Sequence, residues 1–349
     1  MRPLPPAPMA ARSRRSSVRS RPPAGGAAPL APAYASGYHA PVLVRETVDL
    51  LITDPAGVYV DGTLGGGGHS AALLDALAPE GRVVGLDQDP EALAAARERL
   101  ADAGARFTAL RGNFAGMAGL LASAGVDAVD GVLLDLGVSS HQIDEAARGF
   151  AYSAEGPLDM RMDPSAPRSA ADLVNDLPEE DLANLIYTYG EETRSRKVAR
   201  AIVERRPLAT TAELAEAVRS AVPYKEEVKS LSRVFQGLRI AVNDELAVLE
   251  RALIASLGLL KPAGRLAVIA YHSLEDRPVK HFLRYGNFEN EPVRDFYGNL
   301  LTPWEPVTRK AVQPSEEEVA ANPRARSARL RVAEKRDPEV SGLGTAYDY

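Results

Sequence analysis

The chain has 349 residues, 45% of them hydrophobic, a net charge of −6 and no cysteine. That apolar content suffices for one large core or two unequal ones; the missing cysteine excludes disulfide staples and thiolate metal sites and fits a reducing, cytoplasmic setting. The longest apolar stretches have strand length, far short of the roughly 20 residues of a membrane helix, so no membrane partner is expected.

Residues 1–36 hold six arginines (Arg2, Arg12, Arg14, Arg15, Arg19, Arg21), no acid, and otherwise mostly proline, alanine, serine and glycine. Such a segment cannot offset its ordering entropy by burial and reads as a disordered basic tail. An RNA-touching arm or a transit peptide are the functional alternatives. With +6 in that tail, the remainder carries −12, so any RNA contact needs a local basic patch. Residues 337–349 read as a flexible carboxyl tail.

From Gly57 the pattern alternates. Val58 to Val60 reads as a strand ending at Asp61, Gly62 to Gly68 as a turn, and His69 to Leu77 as a helix. Arg82 to Leu86 is a second strand ending at Asp87; Asp89 and Pro90 then open a helix whose buried stripe is Leu93, Ala96 and Leu100. Phe107 to Leu110 and Gly131 to Leu134 supply two more strands, the latter ending at Asp135. Strands that alternate with helices predict a parallel sheet.

Beyond Asp135 about a hundred residues look helical. Leu182, Leu185, Ile186 and Tyr189 share one helix face, and Thr210 with Glu213 makes a capping box. A helix from Asp244 to Leu260, a turn over Lys261 to Gly264 and a strand from Arg265 to Tyr271, ending at His272, return the chain to the sheet; Ala328 to Ala333 supplies a last strand. The expectation is an α/β Rossmann-like sheet from residues 37–139 and 240–336, with a helical, substrate-recognising subdomain inserted at 140–239.

Four strands thus end in a polar group, Asp61, Asp87, Asp135 and His272, on the edge where open α/β sheets bind ligands. The run Gly65 to Gly68 lets backbone approach a ligand, and Asp87, about twenty residues on, stands where a carboxylate accepts ribose hydroxyls. These features indicate an adenosine-containing ligand and leave open a dinucleotide or S-adenosylmethionine. Asp61 suits the ammonium of a methionine moiety. The five histidines show no metal-site spacing, so no metal is expected.

Five segments carry a more specific signal: His39 to Leu43, Asp61-Gly62-Thr63-Leu64-Gly65-Gly66-Gly67-Gly68-His69-Ser70, Asp135 to Ser140, Gly156 to Asp163, and His272 to Arg277. In this order they resemble the signature segments of the bacterial 16S rRNA (cytosine-N4)-methyltransferases, with weaker matches continuing to about residue 336. The resemblance implies a class I methyltransferase fold, S-adenosyl-L-methionine as cofactor, and as substrate a decoding-region cytosine of small-subunit ribosomal RNA, free or in the assembled subunit. A homodimer is left open.

Position by position, it implies cofactor contacts at Gly67, Gly68, His69, Asp87, Phe114, Asp135 and Gln142. His141, where many relatives carry proline, departs from the pattern. For the chemistry, Asp135 is the candidate acceptor for the target amine, alongside a cofactor-only role. His272 is the candidate to take a proton or touch the base, alongside a plain helix-capping role. The candidate RNA patches are Arg194, Arg196, Lys197, Arg200, Arg205 and Arg206, and near the carboxyl end Arg324, Arg326, Arg329 and Arg331. An Arg200–Glu204 pair on a solvated face is the bland alternative for the first. A nicotinamide-dependent oxidoreductase would share the glycine turn and Asp87 but not the segments after Asp135.

Overall fold

The computed structural model describes Tyr34 and residues 41–337; the expected tails otherwise lie outside the described residues. Five parallel strands form its centre: β1 (Val58–Asp61), β2 (Arg82–Asp87), β3 (Phe107–Arg111), β4 (Val129–Asp135) and β5 (Leu260–Ala270). Two short antiparallel additions, β6 (Trp304–Pro306) and β7 (Arg329–Lys335), complete the order β3-β2-β1-β4-β5-β7-β6. The order reverses between β1 and β4, which opens a crevice at their carboxyl ends.

Side-chain alternation buries both faces of this sheet. Val60, Val132, Leu134, Leu266 and Val268 point into one apolar cluster, and Tyr59, Leu133, Ala267 and Ile269 into another. Helices α1 (Val44–Leu51) and α2 (Gly68–Ala76) cover the second face, whereas α4 (Met117–Ser123), α11 (Glu245–Leu259) and α12 (Ser273–Tyr285) cover the first. Between them in sequence, α3 (Pro90–Arg99) starts as expected, with Asp89 accepting the Glu91 amide at 3.0 Å and Pro90 in the first turn.

One boundary differs from the sequence reading. Lys261 to Gly264 belongs to β5 as an irregularity: Val129 pairs with Leu260, but Gly131 already pairs with Arg265. Ala263 takes a φ of 63°, and Lys261 anchors the detour by reaching both oxygens of Asp130 at 2.8 and 3.0 Å. A strand that gains extra residues must bulge to keep its neighbours in register.

Between β4 and β5 in sequence, the chain builds α5 (Ser140–Asp144), α6 (Ala170–Asp176), α7 (Glu179–Gly190), α8 (Ser195–Val203), α9 (Thr211–Ala221) and α10 (Glu227–Asn243) before α11. These helices bury an apolar cluster of their own, including Leu182, Ile186, Val198, Ile202, Leu214, Val218, Val234 and Leu238. Each such side chain contributes roughly 1.5–3 kcal/mol on burial. Capping boxes start three of the helices, at Ser139 with Gln142, Ser169 with Asp172, and Thr210 with Glu213. Among the described residues no helix is long and apolar enough to cross a membrane.

Candidate active site

A cleft of about 770 Å³, counting its open mouth, lies at the carboxyl edge of the sheet over the β1–β4 crevice. Of the sequence candidates, Gly68, His69, Asp87, Phe114, Asp135 and Gln142 line it, together with Gly62, Thr63, Gly65, Asn113, Met162 and Tyr271. Gly67 and His272 do not line it.

The glycine turn divides its work. Gly65 has a φ of 50° and lines the cleft, and a Cβ there would meet only the Thr63 carbonyl oxygen, at 3.9 Å. Gly67, at φ 74°, would push a Cβ to 3.1 Å from Leu100 and 3.3 Å from Ala96. Its missing side chain therefore seats the turn on α3, and the cleft lies elsewhere.

Asp61 also differs from its expected place. It is 1% exposed, accepts Ser70 Oγ at 2.7 Å and the Thr63 amide at 3.3 Å, and does not line the cleft. Burial raises its carboxyl pKa above the usual range, against the pull of His69, Ser70 and Thr63. It ties β1 to α2 from behind the turn.

Asp87 reaches the cleft. Its Oδ2 accepts the Gly65 amide at 2.8 Å and its Oδ1 the Asp89 amide at 2.9 Å, which points the carboxylate along the cleft wall. Burial pushes its pKa up to about 6, and the two amides oppose that shift.

Asp135 is held on three sides. Tyr271 Oη donates to its Oδ1 at 2.9 Å, His69 Nδ1 stands 3.6 Å from its Oδ2, and its own amide donates to Thr63 Oγ1 at 2.6 Å. The Tyr271 phenol is driven well above pKa 10 by burial and by the neighbouring Asp135 charge, so it stays a donor. Tyr271 was not among the sequence candidates. The available signal was its place as the residue just past β5, on the same edge as the three aspartates.

Gln142 enters through α5. Its Oε1 accepts the Ser139 amide and its Nε2 donates to Asp89 Oδ2, both at 3.1 Å. Arg148 binds the same Asp89 oxygen at 2.7 Å and donates to the carbonyls of Arg161 and Met162 at 3.1 Å. The segment that carries Gln142 and Met162 is thereby strapped over the cleft.

His272 belongs to a neighbouring polar cluster. Its Nε2 lies 3.1 Å from Glu275 Oε1 and 3.5 Å from Arg239 Nη2, and it caps α12 with no side-chain bond. Glu245, His272 and Glu275 bring ligand-type atoms within 4.8 Å of one another. Arg239 donates to both Glu245 oxygens at 2.8 and 2.9 Å, so an arginine already supplies positive charge there.

Residues 36–336 match the model of the MraW methylase family. The chain belongs to this family. It is 52% identical over 320 residues to ribosomal RNA small subunit methyltransferase H of Chlorobaculum parvum, an alignment covering 85% of this chain and 98% of that protein. The proteins of the same name from Geobacter sulfurreducens and Phocaeicola vulgatus are 50% and 46% identical, covering 85% and 86% of this chain and 98% of each relative. The cofactor of this methylase is S-adenosylmethionine, and the cleft fits it: bare glycine backbone at Gly65, a carboxylate at Asp87 for ribose hydroxyls, the Phe114 ring for a base, and negative walls for a sulfonium cation.

The basic candidates separate as well. Arg194 pairs with Glu226, Arg200 with Glu179 rather than Glu204, and Arg206 donates to the carbonyls of Val174 and Leu177. The side chains of Arg196 and Lys197 have no hydrogen-bond or ion-pair partner among the described residues, and both residues line a groove with Asn184 and Tyr187, which is 62% exposed. Arg329 and Arg331 both bind Asp276, and Arg324 binds Asp144.

Proposed function

We propose that this methylase transfers a methyl group from S-adenosylmethionine to the N4 amine of a cytosine in small-subunit ribosomal RNA. The observation that carries the reading is the near-complete match, at about half identity, to relatives named as methyltransferases of that RNA. Bound S-adenosylmethionine supplies an electrophilic methyl carbon. Gly65, Gly68, Asp87, Phe114 and Gln142 would hold it beneath the strap around Arg148.

The amine of cytosine is a poor nucleophile because its lone pair is delocalised into the ring. Asp135 counters this by accepting a hydrogen bond from N4, which returns electron density to nitrogen as the new bond forms. Tyr271 fixes the carboxylate for this task. His272, engaged by Glu275 and Arg239, is assigned to holding the start of α12.

The target base must be unpaired or flipped to reach the cleft. The inserted helices at 140–239 are its recognition subdomain, with Arg196 and Lys197 on phosphate and Tyr187 offering a face for stacking. The RNA partner, free or assembled in the small subunit, and any homodimer stand on this same reading.

The test is methyl transfer from labelled S-adenosylmethionine to small subunits from cells lacking the enzyme, followed by nucleoside analysis. Label in N4-methylcytidine that disappears with Asp135→Ala is expected. Label in another nucleoside, or none in RNA, rejects the assignment.

A further inference from the structure

The fate of the amine proton is the next question, and it rests on the reading of the cleft as an amine-methylating site. Val42's carbonyl can only accept, so its 2.9 Å contact places a hydrogen on His69 Nε2. Nδ1 is then the ring atom whose protonation can change. It stands 3.6 Å from Asp135 Oδ2, in a ring only 4% exposed.

The surroundings of that ring are negative. Asp61 from β1, Asp135 from β4 and Glu318 from α13 (Glu316–Ala321) all interact with it electrostatically. Tyr271 from β5 contributes a phenol that donates to the other oxygen of Asp135. A neutral ring directs its Nδ1 lone pair at a carboxylate 3.6 Å away, an unfavourable contact that a proton on Nδ1 turns into an attractive ion pair. A sulfonium and an ammonium in the cleft oppose that second proton. Once sulfur has become a neutral thioether, the opposition weakens.

We propose that His69 is the proton store of the reaction: Asp135 Oδ2 takes the proton from N4 and passes it to His69 Nδ1. The N4 lone pair forms the bond to the methyl carbon as the carbon–sulfur bond breaks with its electron pair left on sulfur. An N4–H bond then breaks with its pair returned to nitrogen. The proton forms an O–H bond on Asp135 and moves on to Nδ1, restoring the carboxylate. The positive charge lost at sulfur reappears on the imidazole, and solvent removes the proton after products leave. His69 acts through Asp135 and is a positioning and relay residue.

Two measurements test this. Nitrogen NMR of the His69 ring, with no RNA present, should show Nδ1 unprotonated in the S-adenosylmethionine complex and protonated in the S-adenosylhomocysteine complex at the same pH. An identical ring state in both complexes overturns the relay. His69→Gln offers an amide hydrogen to Val42 but cannot store a proton. Its single-turnover rate at saturating cofactor should fall about 100-fold, and adding it to Asp135→Asn should cost little more than Asp135→Asn alone. A weakened Kd with an unchanged saturated rate would make the ring a cofactor contact only. Absence of N4-methylcytidine with the native enzyme rejects the acceptor assignment instead, and the ring states still decide for or against the proton store.

Discussion

Arg148 Nη1 lies 2.7 Å from Oδ2 of Asp89, whose side chain is wholly shielded from solvent. The pair joins the strap over the cleft to the first turn of α3, two residues beyond Asp87. Arg148→Ala leaves a buried carboxylate with its main positive partner gone, which costs about 3–5 kcal/mol. Denaturant unfolding should show that loss, together with weaker cofactor binding. A change within about 1 kcal/mol would mean the strap is held by other contacts.

In its proposed place at the ribose, Asp87 should make cofactor binding sensitive to pH. Its carboxyl, at about 6 in the folded protein against 3.8 ordinarily, accepts ribose hydroxyls most strongly when ionised. Affinity should be flat above neutrality and fall as pH drops through about 6, and Asp87→Asn should be weak and flat throughout. The stability sign is opposite. Across the window from 3.8 to about 6 the folded chain holds a proton that the unfolded chain has released, so this group lowers the stability of the free protein as pH rises. Calorimetric binding curves at several pH values check the first point, and unfolding curves of Asp87→Asn against the native chain check the second.

The two arginine-rich segments should respond differently to mutation. Arg331 donates to both Asp276 oxygens at 2.7 and 3.0 Å. Burial opposes the Asp276 charge, yet Arg331 and Arg329 hold its carboxyl below the ordinary carboxylate range. That stabilisation is present above the unfolded pKa and lost as pH falls through the folded one. Arg331→Ala should therefore cost about 2 kcal/mol of stability and leave the salt dependence of RNA binding alone. The double variant Arg196→Ala with Lys197→Ala should do the reverse, reducing the slope of log K against log salt by about 1.4 for single-stranded RNA. Salt titrations that show equal slopes would remove α8 from the RNA interface.

Gly156 opens one of the signature segments for a steric reason. A Cβ there would sit 1.8 Å from the Ala146 carbonyl oxygen. Gly156→Ala must separate two backbone segments and should cost on the order of 3 kcal/mol, read as a lower denaturant midpoint at unchanged m-value. A neutral substitution would show that the segment around Ala146 yields freely.

Much of the site was legible before folding. Strand ends at Asp87 and Asp135, the glycine turn between strand and helix, and the helix starts at Asp89 and Thr210 follow from local rules: alternation, backbone freedom at glycine, and side chains that cap nearby amides. Those rules act over a few residues, so the linear chain displays them. The family segments added the order in which these parts recur.

Other assignments depended on neighbours distant in sequence. Whether Asp61 faces a ligand or Ser70, whether Gly67 serves the cleft or α3, and whether Arg331 meets RNA or Asp276 are settled by which surfaces pack together. Tyr271 meets Asp135 across 136 positions of chain, and Arg148 meets Asp89 across 59. A local pattern determines which residues stand at the ends of strands; only the packed sheet and its helical insertion decide which of those groups share one low-dielectric space, as the Asp135 carboxylate, the Tyr271 phenol and the His69 imidazole do.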